Sequence, residues 1–193
     1  MNKKTLRLAV ISLMAALSYI AFTFFQVKIP TPGGYTSFHL GNTFCILGAL
    51  LLGGLPGGLA GAIGMAIGDL FDPTYVMYAP KTIVLKLGIG LVCGFVAYNI
   101  LHIEKKEGKE LVKAVIISAI AGMLFNVLGE PIFSYFYTSY VLGAPDKAAK
   151  ALANWNAITT SVNAVLSVIF ASSIYFALYP KLKNNGIIKK LRK

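Results

Sequence analysis

The sequence contains a run of forty residues, from Ile29 to Gly68, in which no side chain carries a formal charge. As a single helix this run would be about 60 Å long, roughly twice the hydrocarbon thickness of a bilayer. A soluble domain cannot place such a segment on its surface. The run is broken once, by the segment Gly53-Gly54-Leu55-Pro56-Gly57-Gly58, which predicts two membrane-crossing helices joined by a tight turn.

The composition of the whole chain is typical of an integral membrane protein. Of its 193 residues 56% are apolar and only 13% are charged, and the mean hydropathy is +0.71. These values predict an all-α integral membrane bundle, formed as a single domain over residues 1–193. The apolar segment after the basic N-terminus has the length of a membrane span, and no small-residue cleavage site follows it. We therefore predict a helix there rather than a signal peptide.

Six apolar segments are predicted to be transmembrane helices. Their approximate bounds are 8–27, 39–52, 56–70, 80–101, 114–137 and 156–179, the fifth being interrupted by Pro131. The second and third would each cover only ~22 Å, against ~30 Å of hydrocarbon. Joined at one membrane surface, they would leave a depression at the other, roofed by the segments 28–38 and 71–79. Alternatively, both helices are tilted or longer than drawn.

Basic residues are concentrated at one predicted membrane surface. Thirteen of the eighteen Lys and Arg residues lie at the N-terminus, between the fourth and fifth spans, or at the C-terminus. Cytoplasmic segments of membrane proteins are enriched in Lys and Arg, so both termini are predicted to be cytoplasmic. The net charge of +11 is interpreted as this topology signal and not as a sign of nucleic-acid binding.

The sequence shows no motif for catalysis or for metal binding. It lacks a Gly-x-x-x-x-Gly-Lys-Ser/Thr phosphate loop, a His-Glu-x-x-His zinc helix and a Gly-x-Ser-x-Gly nucleophile elbow. Its two cysteines, Cys45 and Cys93, lie within apolar segments, as small buried hydrophobes usually do. We predict no enzymatic activity, no metal site and no cofactor.

Polar and aromatic side chains occur at the span ends that face away from the basic clusters. Ionisable groups at depth are costly and usually functional, and aromatic walls with a few amides suit a planar heterocycle. The predicted substrate-binding residues are Tyr35, His39, Asn42, Asp69, Tyr78, Lys86, Asn126, Glu130 and Asn163. The alternatives are an interfacial aromatic belt and structural ion pairs such as Asp69 with Lys86.

Glycines recur at four-residue spacing within the second and third spans and their turn. The pairs are Gly54 and Gly58, Gly57 and Gly61, and Gly64 and Gly68. Small residues at this spacing let helices approach closely in lipid. They indicate either tight packing inside the bundle or a face that meets another membrane subunit.

Several of these segments together resemble a known family. They are Ile29–Tyr35 (IPTPGGY), His39–Asn42 (HLGN), the glycine-rich helix pair ending in Gly68–Leu70 (GDL), Tyr78–Thr82 (YAPKT) and Lys86–Gly90 (KLGIG). They resemble the substrate-binding (S) components of energy-coupling factor (ECF) vitamin transporters, most closely the riboflavin-transporter-like group. The resemblance is densest over residues 28–95.

The resemblance implies a six-helix subunit of a bacterial plasma membrane, in contact with lipid, that captures a B-type vitamin beneath its outer loops, with riboflavin as a candidate. It also implies a transmembrane scaffold subunit and two cytosolic ATPases as partners. Ser12-x-x-x-Ala16 is the nearest equivalent of the small-residue face that meets the scaffold in the family. The residues alone leave open a stand-alone secondary transporter or a non-transporting assembly protein.

Overall fold

The computed structural model describes residues 2–192 and shows a bundle of six helices with a short seventh near the C-terminus. The helices are α1 (Lys3–Thr23), α2 (Gly41–Leu52), α3 (Gly54–Phe71), α4 (Ala79–Phe95), α5 (Gly108–Phe136), α6 (Asp146–Asn184) and α7 (Ile187–Arg192). Five of them are long and apolar enough to cross a membrane, whereas α2 has only 12 residues. The architecture is that of an all-α membrane bundle.

The segment between α1 and α2 is a β-hairpin, which the sequence analysis predicted only as non-helical. Strands β1 (Val27–Thr31) and β2 (Gly34–Phe38) pair antiparallel, with Thr31 opposite Gly34. Pro32 and Gly33 form the turn, and Gly34 has a positive φ of 137° that favours glycine. Because proline cannot continue a helix, this segment is available for strand pairing above the bundle.

Several helix bounds differ from the predicted spans. Helix α6 begins at Asp146 rather than near residue 156, and it extends to Asn184. Its first turns are rich in Ala, which favours a helix. The same turns are too polar to be recognised as part of a membrane span by their hydropathy. Helix α1 ends at Thr23, where the chain turns into the hairpin. Helix α5 continues through Pro131, which was predicted to interrupt it. A helix packed in a membrane bundle tolerates the lost hydrogen bond.

The turn between α2 and α3 consists of one residue, Gly53, which has a φ of 101°. Helix α3 begins at Gly54, so Pro56 lies in its first turn, where the missing N–H costs little. This helix is longer than the sequence analysis expected, with 18 residues. The two helices leave the turn side by side. Their far ends contribute Asn42, Met65 and Asp69 to the cavity described below.

The small-residue pairs of α3 pack inside the bundle against three different helices. A Cβ on Gly57 would lie 2.1 Å from the backbone nitrogen of Ala49 in α2. A Cβ on Gly58 would lie 2.7 Å from the Leu87 carbonyl oxygen of α4, and one on Gly64 would lie 2.1 Å from the carbonyl oxygen of Ala15 in α1. The structure therefore favours internal packing over a subunit interface for these glycines.

Both chain ends lie at the end of the bundle where α2 meets α3. Arg7 of α1 donates a hydrogen bond to the Leu52 carbonyl oxygen (3.5 Å), and Arg192 of α7 donates to that of Leu50 (3.4 Å). The hairpin lies at the opposite end of the bundle. The basic N- and C-terminal segments and the hairpin are thus separated by the length of the helices.

Candidate functional site

A cavity of about 70 Å³ lies beneath the hairpin. All nine predicted substrate-binding residues line it: Tyr35, His39, Asn42, Asp69, Tyr78, Lys86, Asn126, Glu130 and Asn163. The other lining residues are Phe22, Thr36, Ser37, Met65, Tyr75, Lys81, Thr82, Leu152, Asn156, Thr159 and Thr160. The structure therefore brings the predicted residues together, and their contact with a ligand stays a prediction.

Helical spacing explains how these residues reach one cavity. Asn126 and Glu130 are four residues apart in α5 and share one face. Asn156, Thr159 and Asn163 follow one another at intervals of three and four in α6, which produces a polar stripe on a membrane helix. Of this stripe, only Asn163 was predicted to bind the substrate. The spacing of three and four residues in the sequence also identifies Asn156 and Thr159. Phe22 carries no such signal, because an aromatic residue in an apolar helix resembles a lipid-facing one.

The hairpin is held over the cavity by side chains of α6. The Oγ1 atoms of Thr36 and Thr159 share a hydrogen bond of 2.7 Å. The Asn163 side chain accepts a hydrogen bond from the backbone N–H of His39 and donates one to the Ser37 carbonyl oxygen, both 3.0 Å. Both polar groups of the Asn163 side chain are thus used to hold the hairpin. We therefore expect Asn163 to affect a ligand indirectly, by fixing the position of β2.

A salt bridge ties the other edge of the hairpin to the loop after α3. Lys28 Nζ lies 2.6 Å from Asp72 Oδ2 and 5.4 Å from the centre of the Tyr75 ring. Burial alone would raise the pKa of Asp72, but the Lys28 ammonium and a hydrogen bond from the Thr74 N–H hold this pKa below its ordinary value. The tie is therefore complete at neutral pH and is lost only as the pH falls through this depressed pKa, which lies below the ordinary range of an aspartate carboxyl.

We expect Asp72→Asn to loosen the hairpin without unfolding the bundle. An exposed ion pair contributes little free energy, so amide hydrogen exchange in β1 and β2 should accelerate by only about two- to fivefold. The measurement is hydrogen exchange followed by mass spectrometry at pH 7. Glu110→Gln, which breaks an exposed pair with Lys113 on α5, is the control and should leave the hairpin amides unchanged. Equal exchange in both variants would show that Lys28 and Asp72 do not hold the hairpin.

The charged groups of the cavity are paired differently from the alternative considered in the sequence analysis. Lys81 forms a buried ion pair with Glu130 and lies 5.4 Å from the Tyr78 ring centre. Among the described residues, Lys86 belongs to none of the five ion pairs, and Asp69 Oδ2 has no hydrogen-bond partner. Asp69 and Lys86 therefore remain available to a ligand.

Unpartnered amide oxygens add further acceptors. Asn42 Oδ1 and Asn126 Oδ1 are buried and accept no hydrogen bond from the described residues. Together with the Lys86 ammonium, they can satisfy a small molecule that carries both donors and acceptors. Within residues 2–192, no cluster of three or more His, Cys, Asp and Glu side chains is arranged to hold a metal ion.

Comparisons with known proteins bear on the family and the fold of this chain. Residues 2–180 match the family described as "ECF-type riboflavin transporter, S component". The solved structure of ThiT from Listeria monocytogenes matches with a TM-score of 0.63 at 18% sequence identity, over 94% of this chain and 98% of that chain. At that identity, the likeness shows a shared fold. No curated protein sequence matches significantly.

Proposed function

The chain belongs to the family of ECF-type riboflavin transporter S components, and we propose that it captures riboflavin, or a closely related vitamin, outside a bacterial plasma membrane. Members of this family are substrate-binding transporter subunits rather than enzymes. The observation that carries the proposal is the convergence of nine predicted polar and aromatic side chains on one cavity. Within residues 2–192, Lys86 belongs to none of the ion pairs, and Asp69 Oδ2 accepts no hydrogen bond.

The chemistry of the cavity suits the ring system of a flavin. Its pyrimidine edge presents an N–H between two carbonyl groups, so it needs both an acceptor and a donor from the protein. Asp69 or an asparagine oxygen would accept from the N–H, and the Lys86 ammonium would donate to a carbonyl oxygen in a charge-assisted hydrogen bond. Tyr35, Tyr75 and Tyr78, which line the same cavity, supply flat apolar surface for the rings.

Capture of a vitamin requires the cavity to open. A volume of about 70 Å³ is well below the 300–1,000 Å³ typical of small-molecule sites. The hairpin covers the cavity and is held by a few hydrogen bonds and one exposed salt bridge, so it is the element expected to move. Substrate would enter as the hairpin lifts and would be enclosed when it returns.

The distribution of charge supports a topology with the hairpin outside. The basic N- and C-terminal segments lie at the opposite end of the bundle from the cavity, and cytoplasmic segments are enriched in such residues. We propose six membrane crossings within one domain, with both termini in the cytoplasm. Because α2 covers only about 18 Å, the cavity lies below the outer membrane surface.

We further propose that the chain associates with a transmembrane scaffold subunit and, through it, with two cytosolic ATPases. The chain has no phosphate loop of its own. Ser12 and Ala16 are exposed on the outer face of α1, where small side chains would let a scaffold helix approach closely. These positions are the proposed contact.

Ala16→Phe is expected to prevent assembly with the scaffold while leaving substrate binding intact. A bulky ring on this face would hold a partner helix away, at a cost of several kcal/mol of packing. The measurement is co-purification of scaffold and ATPase subunits with the tagged chain. Ser161→Phe, at an exposed position of α6, is the matched control and should assemble normally. If both variants assemble alike, α1 is not the contact.

The proposed substrate is tested by titrating the purified chain, without ATPases, with riboflavin and other B vitamins. A ligand that binds only the folded state must raise the melting temperature, and riboflavin is expected to give the largest rise. No shift with any B vitamin would contradict substrate capture, and a larger shift with another vitamin would contradict the riboflavin assignment. Uptake by the chain alone into liposomes, driven by an ion gradient, would instead indicate a secondary transporter.

A further inference from the structure

A second cavity, of about 450 Å³, opens at the other end of the bundle, beside the turn between α2 and α3. It is formed by the start of α3, the end of α4 and the π-helical turn that follows it, and α7. Arg192, Asn99 and Tyr98 are its polar side chains, and the remaining wall is apolar or glycine. This cavity is separate from the vitamin site, and the proposed function makes no use of it.

Arg192 places a positive charge in this cavity, and no carboxylate of residues 2–192 forms an ion pair with it. Its Nη2 donates to the Tyr175 hydroxyl (3.0 Å) and to the Leu50 carbonyl oxygen (3.4 Å), and its guanidinium lies 5.3 Å from the Tyr98 ring centre. Its Nε is buried and has no partner, and Arg192 belongs to none of the ion pairs found within residues 2–192. A partly buried guanidinium in this setting calls for an anionic ligand.

The first turn of α3 adds to the positive potential of the cavity. Gly53 and Gly54 line the cavity, and no side chain caps the N-terminus of this helix. The N–H groups of a helix N-terminus attract anions and are often used to bind phosphate. The N–H groups of α3 play a smaller part than Arg192, because Arg192 is the charged group that fixes where the anion would lie.

The apolar wall indicates that the ligand is more than a free ion. Leu55, Leu91 and Phe95 line the cavity and are 53%, 43% and 57% exposed, so the cavity is continuous with the lipid-facing surface of α3 and α4. A molecule that fills it would place a charged group at Arg192 and an apolar part along this surface. Basic pockets between transmembrane helices on the cytoplasmic side are suited to anionic lipid headgroups.

We propose that this cavity binds the phosphate group of an anionic phospholipid, with the acyl chains lying against Leu55, Leu91 and Phe95. The guanidinium of Arg192 would donate to the phosphate oxygens, Asn99 would donate a further hydrogen bond, and Tyr98 and Tyr175 would hold the guanidinium in place. A purely structural role for Arg192, in which it caps the C-terminus of α2, explains one hydrogen bond, from Nη2 to the Leu50 carbonyl oxygen. It explains neither the unpartnered Nε nor the presence of the cavity.

Native mass spectrometry of the purified full chain in a neutral detergent tests the proposal. With phosphatidylglycerol and phosphatidylcholine supplied together, the chain is expected to retain one phosphatidylglycerol with about tenfold preference, because the choline cation of phosphatidylcholine offsets the charge of its phosphate and is repelled by the Arg192 guanidinium. Arg192→Gln should abolish this preference. Arg7→Gln is the matched control, because Arg7 also donates to a terminal carbonyl of α2 but does not line the cavity, and it should retain the preference.

A second variant keeps the test valid if Arg192→Gln folds poorly. Asn99→Asp leaves Arg192 in place but supplies a carboxylate within the same cavity, and it should reduce phosphatidylglycerol binding at least about tenfold while the melting temperature is kept or raised. Unchanged preference in both variants would overturn the proposal. Complete displacement of the lipid by millimolar inorganic phosphate would overturn the assignment to lipid. Loss of scaffold co-purification in Arg192→Gln, without any lipid preference in the wild type, would point to a partner's carboxylate instead.

Discussion

Replacing Lys86 by methionine is expected to weaken riboflavin binding about tenfold to a hundredfold, the value of one charged hydrogen bond, and at the same time to stabilise the ligand-free protein. Lys86 is 5% exposed and belongs to none of the ion pairs within residues 2–192. An uncompensated charge at membrane depth lowers the stability of the empty protein. Methionine has a similar length without the charge.

The two effects are measured by titration calorimetry and by thermal unfolding without ligand. Lys81→Met is the matched control, because Lys81 lines the same cavity but is paired with Glu130. Removing the Lys81 ammonium takes away the ion-pair partner of Glu130, so the free energy of unfolding of this variant should fall by about 3–5 kcal/mol. If Lys86→Met also lowers the melting temperature, Lys86 serves the fold. If the affinity is unchanged, it is not a ligand group.

Substituting alanine for Gly57 is expected to destabilise the bundle by about 3 kcal/mol, the upper range for overpacking. The new Cβ would lie 2.1 Å from the backbone nitrogen and 2.4 Å from the Cα of Ala49, so α2 and α3 would have to separate. No side-chain rotation relieves a clash with backbone, and Gly53, a single residue, is all that joins the two helices.

Gly129→Ala supplies the matched control for this effect. Its Cβ would meet only side-chain atoms, Leu85 Cδ2 at 3.2 Å and Phe133 Cδ2 at 3.9 Å, and alanine is favoured over glycine in a helix by about 1 kcal/mol. It should therefore be neutral or slightly stabilising. Thermal unfolding and the yield of monodisperse protein in detergent compare the two. Equal stability of both variants would show that α2 and α3 do not depend on close contact.

The parts of the fold that could be predicted are those in which polar groups are costly. Uncharged runs predicted the helices of the membrane bundle because hydrocarbon excludes charge. Asn126 and Glu130 were identifiable because they are polar residues within an apolar segment. The first ten residues of α6, from Asp146, carried no comparable signal, since a helix that extends beyond hydrocarbon tolerates polar residues. The position of the hairpin over the cavity was not predictable, because it is held by hydrogen bonds to Thr159 and Asn163, more than 120 residues away in the chain.

The ion pairs of the cavity show a second limit of prediction from the sequence. The sequence placed Asp69, Lys81, Lys86 and Glu130 near one surface, and Asp69 with Lys86 was the structural pair considered. The structure instead pairs Lys81 with Glu130. Which carboxylate a lysine meets depends on how α3, α4 and α5 are rotated about their axes, and this rotation is fixed by glycine contacts such as Gly58 against Leu87. Composition and spacing do not specify that angle.

The single-residue junction at Gly53 also bears on how the protein is made. A helix of 12 residues is too short to be retained in a bilayer as an independent anchor, which takes about 20 residues. Since Gly53 leaves no slack between α2 and its neighbour, we expect the translocon to release α2 and α3 together as one preassembled insertion unit. Formation of the cavity beneath the hairpin would then begin with this pair of helices, before α5 and α6 have joined the bundle.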